Sequence, residues 1–154
     1  MLSECLFAVV LVVLSASAIA FPQEIKIQKS DLPAAVQKTV DQQSKGATVR
    51  GFSKEVENGQ TIYEAELITQ GHSRDVSIDT NGNVVEIEEE VPFASLPDGV
   101  KRGLEAKAGK GKIGKVESLT KHGELVAYEA KVTTGTRKSE IQVGPDGKPL
   151  AHEE

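Results

Sequence analysis

The chain has 154 residues, with 18 lysine and arginine side chains against 23 aspartate and glutamate, no tryptophan and one cysteine. A formal charge of −5 opposes nucleic-acid phosphate, and two tyrosines with four phenylalanines leave few rings for stacking on bases or sugars. A single thiol, Cys5, excludes an intrachain disulfide.

Leu6 to Leu14 is an unbroken apolar run, LFAVVLVVL, followed by SASAIA. The run is too short to cross a bilayer, which takes about 20 residues. It has the length of the hydrophobic part of a secretory signal, and Ala18-Ile19-Ala20 fits the small-x-small rule for cleavage after Ala20. The stretch before it departs from the usual pattern, with Glu4 and no basic residue. Residues 1–20 are expected to leave on export and to take Cys5 with them. The mature chain is then expected in the periplasm or outside the cell, without a stable membrane anchor, held by packing alone.

The remainder is written twice. Leu32-Pro33 aligns with Leu96-Pro97, Val36 with Val100 and Val40 with Leu104 at an offset of 64. One inserted residue changes the offset to 65, and Tyr63-Glu64-Ala65 then meets Tyr128-Glu129-Ala130. Val76 meets Ile141, Ile78 meets Val143 and Gly82 meets Gly147. Two copies are too few for a solenoid, so the pattern predicts a fused pseudo-dimer of two units, residues 21–90 and 91–154.

Each copy opens on a predicted helix. In SDLPAAVQKTVDQQSKG, Ser30 or Asp31 is the expected cap, Pro33 falls in the first turn and Gly46 lies past the end. Leu32, Val36 and Val40 form one narrow apolar stripe, repeated by Leu96, Val100, Leu104 and Ala108. Gly103, inside the second helix, should cost that helix about 1 kcal/mol relative to alanine.

Four strands are predicted after each helix. Asn58-Gly59 is a two-residue hairpin signal. Tyr63, Ala65 and Leu67 alternate with Glu64 and Glu66, which points one face at the helix and the other at water. Val76 and Ile78 continue the inner face, DTNGN turns the chain, and Val85 and Ile87 sit on a short fourth strand. Val49 and Phe52 are three apart, which predicts a bulge in the first strand, and Ile113 and Val116 repeat that spacing. The expected class is α+β: two tandem units, each a helix on a four-stranded antiparallel sheet. Neither unit is large enough to be stable alone, so side-by-side sheets or a shared core must supply burial. Phe93, in the connector EVPFASLP, is the expected plug between units.

A Leu-Pro-led helix, a hairpin ending in Tyr-Glu-x-Glu-Leu and an Asp-x-x-Gly turn, in two exported copies, resembles the PepSY-like proteins. It is also similar to the beta-lactamase-inhibitor-like tandem fold. The matching residues are Leu32, Pro33, Tyr63, Glu64, Glu66, Leu67, Asp79 and Gly82, then Leu96, Pro97, Tyr128, Glu129, Asp146 and Gly147. The second copy departs at Lys131, which stands where Glu66 stands in the first, and at Gly144-Pro145. The resemblance implies an extracytoplasmic, non-enzymatic role, with restraint of a peptidase or related enzyme as the proposed task. It carries over no inhibitory residue.

No catalytic pattern emerges from the residues. His72, His122 and His152 have no Ser/Asp context, and neither G-x-S-x-G nor H-E-x-x-H occurs. Asp79, Asn81, Asn83 and Glu86 supply oxygen donors of the kind Ca²⁺ takes, but not in EF-hand order, and the Asn-Gly pair already has a cause in turn geometry. GKGKIGK, Gly109 to Lys115, lacks the phosphate-loop order. No catalytic residue, cofactor or metal ligand is expected, and the chain is not expected to be an enzyme.

Charge is unequal between the copies. Residues 31–90 carry 5 basic and 12 acidic side chains, and residues 91–154 carry 11 and 9. Glu64, Glu66, Asp75, Glu86 and Glu88 fall on outward strand positions and form the candidate docking face for a basic protein partner. Lys107, Lys110, Lys112 and Lys115 are the candidate contact for anionic lipid or cell-wall polymer. The rival reading is a passive envelope protein that sequesters cations on the acidic sheet.

Overall fold

The computed structural model describes residues 24–57 and 59–154. The leader 1–20, with Cys5 and the cleavage point after Ala20, lies outside the described residues, as does Asn58.

Eight strands form one antiparallel sheet in chain order. They are β1 (Ile25–Ile27), β2 (Thr48–Glu57), β3 (Gln60–Thr69), β4 (His72–Asp79), β5 (Val84–Glu90), β6 (Lys112–Lys121), β7 (Glu124–Thr134) and β8 (Arg137–Val143). Helix α1 (Ala34–Gln43) precedes β2, and α2 (Asp98–Ala108) precedes β6. Tight turns join the hairpins. Gln70-Gly71 and His122-Gly123 each take two positive φ values, 53° and 89°, 51° and 83°, the pair of left-handed residues that a twisted two-residue hairpin turn requires.

The alternation of β3 sets the two faces. Ala65 lies level with Phe52 and Val76, and Tyr63 with Ile78, all on the helix side. Val36 and Val40 of α1, with Leu32, close over Ala65, Leu67, Val76 and Ile78, each of which is at most 4% exposed. In the second unit Leu96, Val100 and Leu104 close over Val116, Ala130 and Val143. Tyr63 and Tyr128 pack against these clusters but stay partly exposed.

The bulges expected in the first strand of each unit are present. Val49 faces Leu67 while Gly51 faces Glu66, so Arg50 is the extra residue. Ile113 faces Val132 while Val116 faces Ala130, so Gly114 and Lys115 oppose Lys131. A third bulge was not legible. Ser77 faces Glu86 but Ile78 faces Val84. Val84 therefore packs on the core, and Val85 lines the opposite face.

Several expectations need correction. Helix α1 starts at Ala34, with Pro33 at its N-cap and no side-chain cap, because Leu32 stays extended at ψ 140°, as a residue before proline prefers. Asp31 instead accepts the Gln28 N–H at 2.9 Å and closes a short 3₁₀ turn, Lys29–Asp31. The second unit has three strands after its helix, not four. The segment aligned with β5 begins at Pro149, which has no N–H to offer a ladder, and residues 149–154 form no strand. The first unit gains β1 at the sheet edge instead. The units join by the β5–β6 ladder, from Glu86 opposite Lys121 to Glu90 opposite Glu117, while their apolar clusters stay separate. Phe93 packs on the second cluster alone.

Candidate functional site

Both helices occupy one face of the sheet. The other face is built from the alternate residues, and register places the five predicted acids on it together. Glu66, Asp75 and Glu88 stand side by side across β3, β4 and β5, and Ser77 separates Glu64 from Glu86 in the adjacent row. The face continues into the second unit: Glu88 lies opposite Leu119, and Glu90 opposite Glu117, followed by Glu129 and Gln142. Glu117, Glu129 and Gln142 were missed in the sequence. The 65-residue offset that maps Glu64 onto Glu129 and Ser77 onto Gln142 could have found two of them.

These carboxylates are not freely solvated. Burial, together with Glu117 and Glu86, pushes Glu88 up to about 8. Burial, Asp75 and Glu24 push Glu64 up to about 7. Burial also raises Asp75 and Glu129 above the ordinary range. Cations sit at the rim of the group. Lys26 contacts Glu24 and Glu66, Lys115 lies 2.7 Å from the buried Glu117, and Lys121 lies 3.6 Å from Glu86.

Two trios of carboxylates approach closely enough to share a cation. Donor oxygens of Asp75, Glu88 and Glu117 lie within 4.8 Å of one another, as do those of Glu24, Glu64 and Glu66. Each trio already has an ammonium against it: Lys115 on Glu117, and Lys26 on both Glu24 and Glu66. The DTNGN segment is a turn with its carboxylate engaged: Asp79 accepts the N–H groups of Asn81 and Asn83 at 2.8 and 2.9 Å and the Asn83 side-chain amide at 2.9 Å. Those bonds hold the Asp79 carboxyl below its usual range, and Glu86 belongs to the outer face instead.

The four lysines do not form one patch. Lys107 donates to the Gln142 carbonyl oxygen at 2.8 Å from the helix side, and Lys115 stands on the acidic face with Glu117. The histidines are also scattered: His72 opens β4, His122 is in the β6–β7 turn and His152 lies near the end of the chain. No helix among the described residues is long and apolar enough to cross a membrane.

Residues 21–85 and 61–148 each match the family described as "Putative beta-lactamase-inhibitor-like, PepSY-like". The chain belongs to this PepSY-like family. Solved structures share the PepSY-like chain's fold. A BLIP-like protein from Bacteroides fragilis matches with a TM-score of 0.59 at 23% identity, over 79% of this chain and 85% of that one. A "putative periplasmic" protein from Bacteroides eggerthii matches with a TM-score of 0.63 at 18% identity, over 77% and 86%. A DUF2874 family protein from Bacteroides ovatus matches with a TM-score of 0.63 at 18% identity, over 77% and 84%. Among curated proteins, none matches this chain.

Proposed function

We propose that this PepSY-like chain is an exported, non-catalytic binding module. In this reading its two units, 21–90 and 91–154, work in the periplasm or outside the cell after cleavage following Ala20. They dock a protein partner of basic surface charge and so restrain or inhibit an extracytoplasmic peptidase or related enzyme. The observation that carries the reading is the outer sheet face. It holds Glu64, Glu66, Asp75, Glu86 and Glu88 in adjacent rows, and neither helix covers it. The family's description and the periplasmic description of one structural neighbour are in keeping with it.

The energetics also favour a docking surface over a merely solvated one. Glu64 and Glu88 are held where ionisation is costly, so they keep their protons up to about 7 and 8, and a basic partner that favours their charged forms would release those protons on docking. Cation sequestration is the weaker reading, because each carboxylate trio already has its own ammonium.

Octalysine serves as a probe of charge recognition. At about pH 9, where both carboxyls are ionised and octalysine is still cationic, Glu64→Gln with Glu88→Gln removes two charges and keeps side-chain shape. The double variant is expected to bind octalysine several-fold more weakly than wild type at about 0.1 M salt, with the gap closing at about 1 M as screening shortens to about 3 Å. The same variant is expected to unfold at higher denaturant. Equal binding at both salt concentrations would overturn the reading and leave the acids as a solubilising surface.

A further inference from the structure

The last residues of the chain fold back onto the acidic face. Beyond β8 the backbone turns sharply: the Gly144 N–H donates to the Lys148 carbonyl at 2.8 Å, and the Gly147 N–H to the Gly144 carbonyl at 2.8 Å. Five residues after Pro149, Glu154 reaches Gln142 on the outer face. Its N–H donates to Gln142 Oε1 at 2.8 Å, and Gln142 Nε2 donates to the Glu154 backbone oxygen at 3.4 Å. One side-chain amide thus pairs with both backbone groups of one residue, as a neighbouring strand would.

That amide is a built recognition element. Gln142 is only 6% exposed, and its Nε2 also donates to Glu129 Oε2 at 2.9 Å. The bond to Glu129 can be made only by the nitrogen, so it fixes which end of the amide faces an incoming backbone N–H. Nothing in this contact depends on the side chain of the residue being held.

The side chain that is held fits poorly. Glu154 lines a cavity of about 260 Å³ together with Glu64, Glu86 and Glu88, and Lys121 is the one cation in that lining. Lys121 lies 3.5 Å from Glu154 and 3.6 Å from Glu86, so it is shared. A glutamate therefore sits among glutamates, kept there by the Gln142 backbone pairing and a lysine it shares with Glu86. In the first unit the aligned segment is β5, locked by ladders on both sides. In the second, Pro149 and the absence of a ladder leave the tail held by few bonds.

We infer that residues 150–154 are a displaceable strap, occupying a seat that takes an extended, lysine- or arginine-bearing segment of the partner. The incoming backbone pairs with the Gln142 amide, and its basic side chain enters the cavity where Glu154 lies. The inference rests on the docking reading above and adds to it a self-blocking element and a backbone-reading residue.

The test compares the full chain, a chain truncated after Pro149 and full-length Gln142→Ala, with two readouts. The first is the NMR signal of the Gln142 side-chain amide, which needs no ligand. Truncation is expected to move it, and unmoved signals would overturn the strap. The second is octalysine affinity, expected to rise several-fold on truncation. Equal affinity for the full and truncated chains would overturn competition while leaving the docking reading intact. Binding to neither would overturn both. Gln142→Ala keeps the tail and empties its seat. The Glu154 amide, bonded to Gln142 Oε1, is expected to exchange slowly in wild type and fast in Gln142→Ala, and equal exchange in the two would overturn the assignment even if the truncated chain failed to fold.

Discussion

Thr39 of α1 donates its hydroxyl to the Gly82 carbonyl oxygen at 2.6 Å, tying the helix to the β4–β5 turn. The aligned residue in α2 is Gly103, and there the turn comes closer: a Cβ on Gly103 would overlap the Gly147 carbonyl oxygen, and one on Gly147 would overlap the Gly99 carbonyl. Gly103 is thus a docking surface for the turn. On helix propensity alone, Gly103→Ala would stabilise by about 1 kcal/mol. Overpacking against backbone reverses the sign, and a net loss of about 1–3 kcal/mol is expected. Urea unfolding measures it, and a gain in stability would show that the turn yields freely.

The two apolar clusters are separate, yet the β5–β6 ladder makes their strands one sheet. Leu67→Ala in the first cluster and Leu104→Ala in the second remove side chains that are 1% and 0% exposed. Each should cost about 2–5 kcal/mol. Because neither half buries enough surface to stand alone, both variants should shift one common calorimetric transition. Two resolved transitions, only one of which responds to each variant, would show independent units.

Stability should depend on pH through the raised carboxyls. Burial and neighbouring carboxylates hold Glu88 at about 8 and Glu64 at about 7, against about 4.3 for an unperturbed glutamate. Between those values the folded protein keeps protons that the unfolded chain has released, so stability falls as pH rises. The contribution is full below the unfolded value, declines as pH rises from there, and is gone once pH has passed through about 7 to 8. The groups facing Glu88 are Asp75 on β4, Glu86 on β5 and Glu117 on β6, with Lys115 as the nearest cation paired to Glu117. Asp79 and Asp146, held below the ordinary range, act in the opposite sense, at pH below about 4. Thermal unfolding should therefore occur several degrees lower at about pH 8.5 than at about pH 5.5. The double variant Glu64→Gln with Glu88→Gln should flatten the slope, and an unchanged slope would place the proton uptake elsewhere.

Much of this was legible from local pattern. The 64- and 65-residue offsets exposed the repeat, and the stripes Leu32-Val36-Val40 and Leu96-Val100-Leu104 named the buried face of each helix. The three-residue spacing of Val49 and Phe52 foretold a bulge that is present. What failed was non-local or depended on one residue's backbone. Leu32 moved the helix start because the proline after it holds it extended. Pro149 removed a strand that alignment with β5 had promised. The alternation of β3, β4 and β5 put five acids on one face, but not the β5–β6 register that adds Glu117, nor the burial that raises Glu64 and Glu88. The 65-residue offset marks Gln142 as an outward position, but its pairing with Glu154 comes from the tail that returns to it.

The central claim is that recognition occurs on the outer sheet face. Titrating isotope-labelled protein with octalysine and following backbone amide signals tests it most directly. Signals of Glu64, Asp75, Glu86, Glu88, Glu117 and Gln142 are expected to move together and saturate, while those of α1 and α2 stay in place. Shifts concentrated on the helices, or scattered without saturation over both faces, would contradict it.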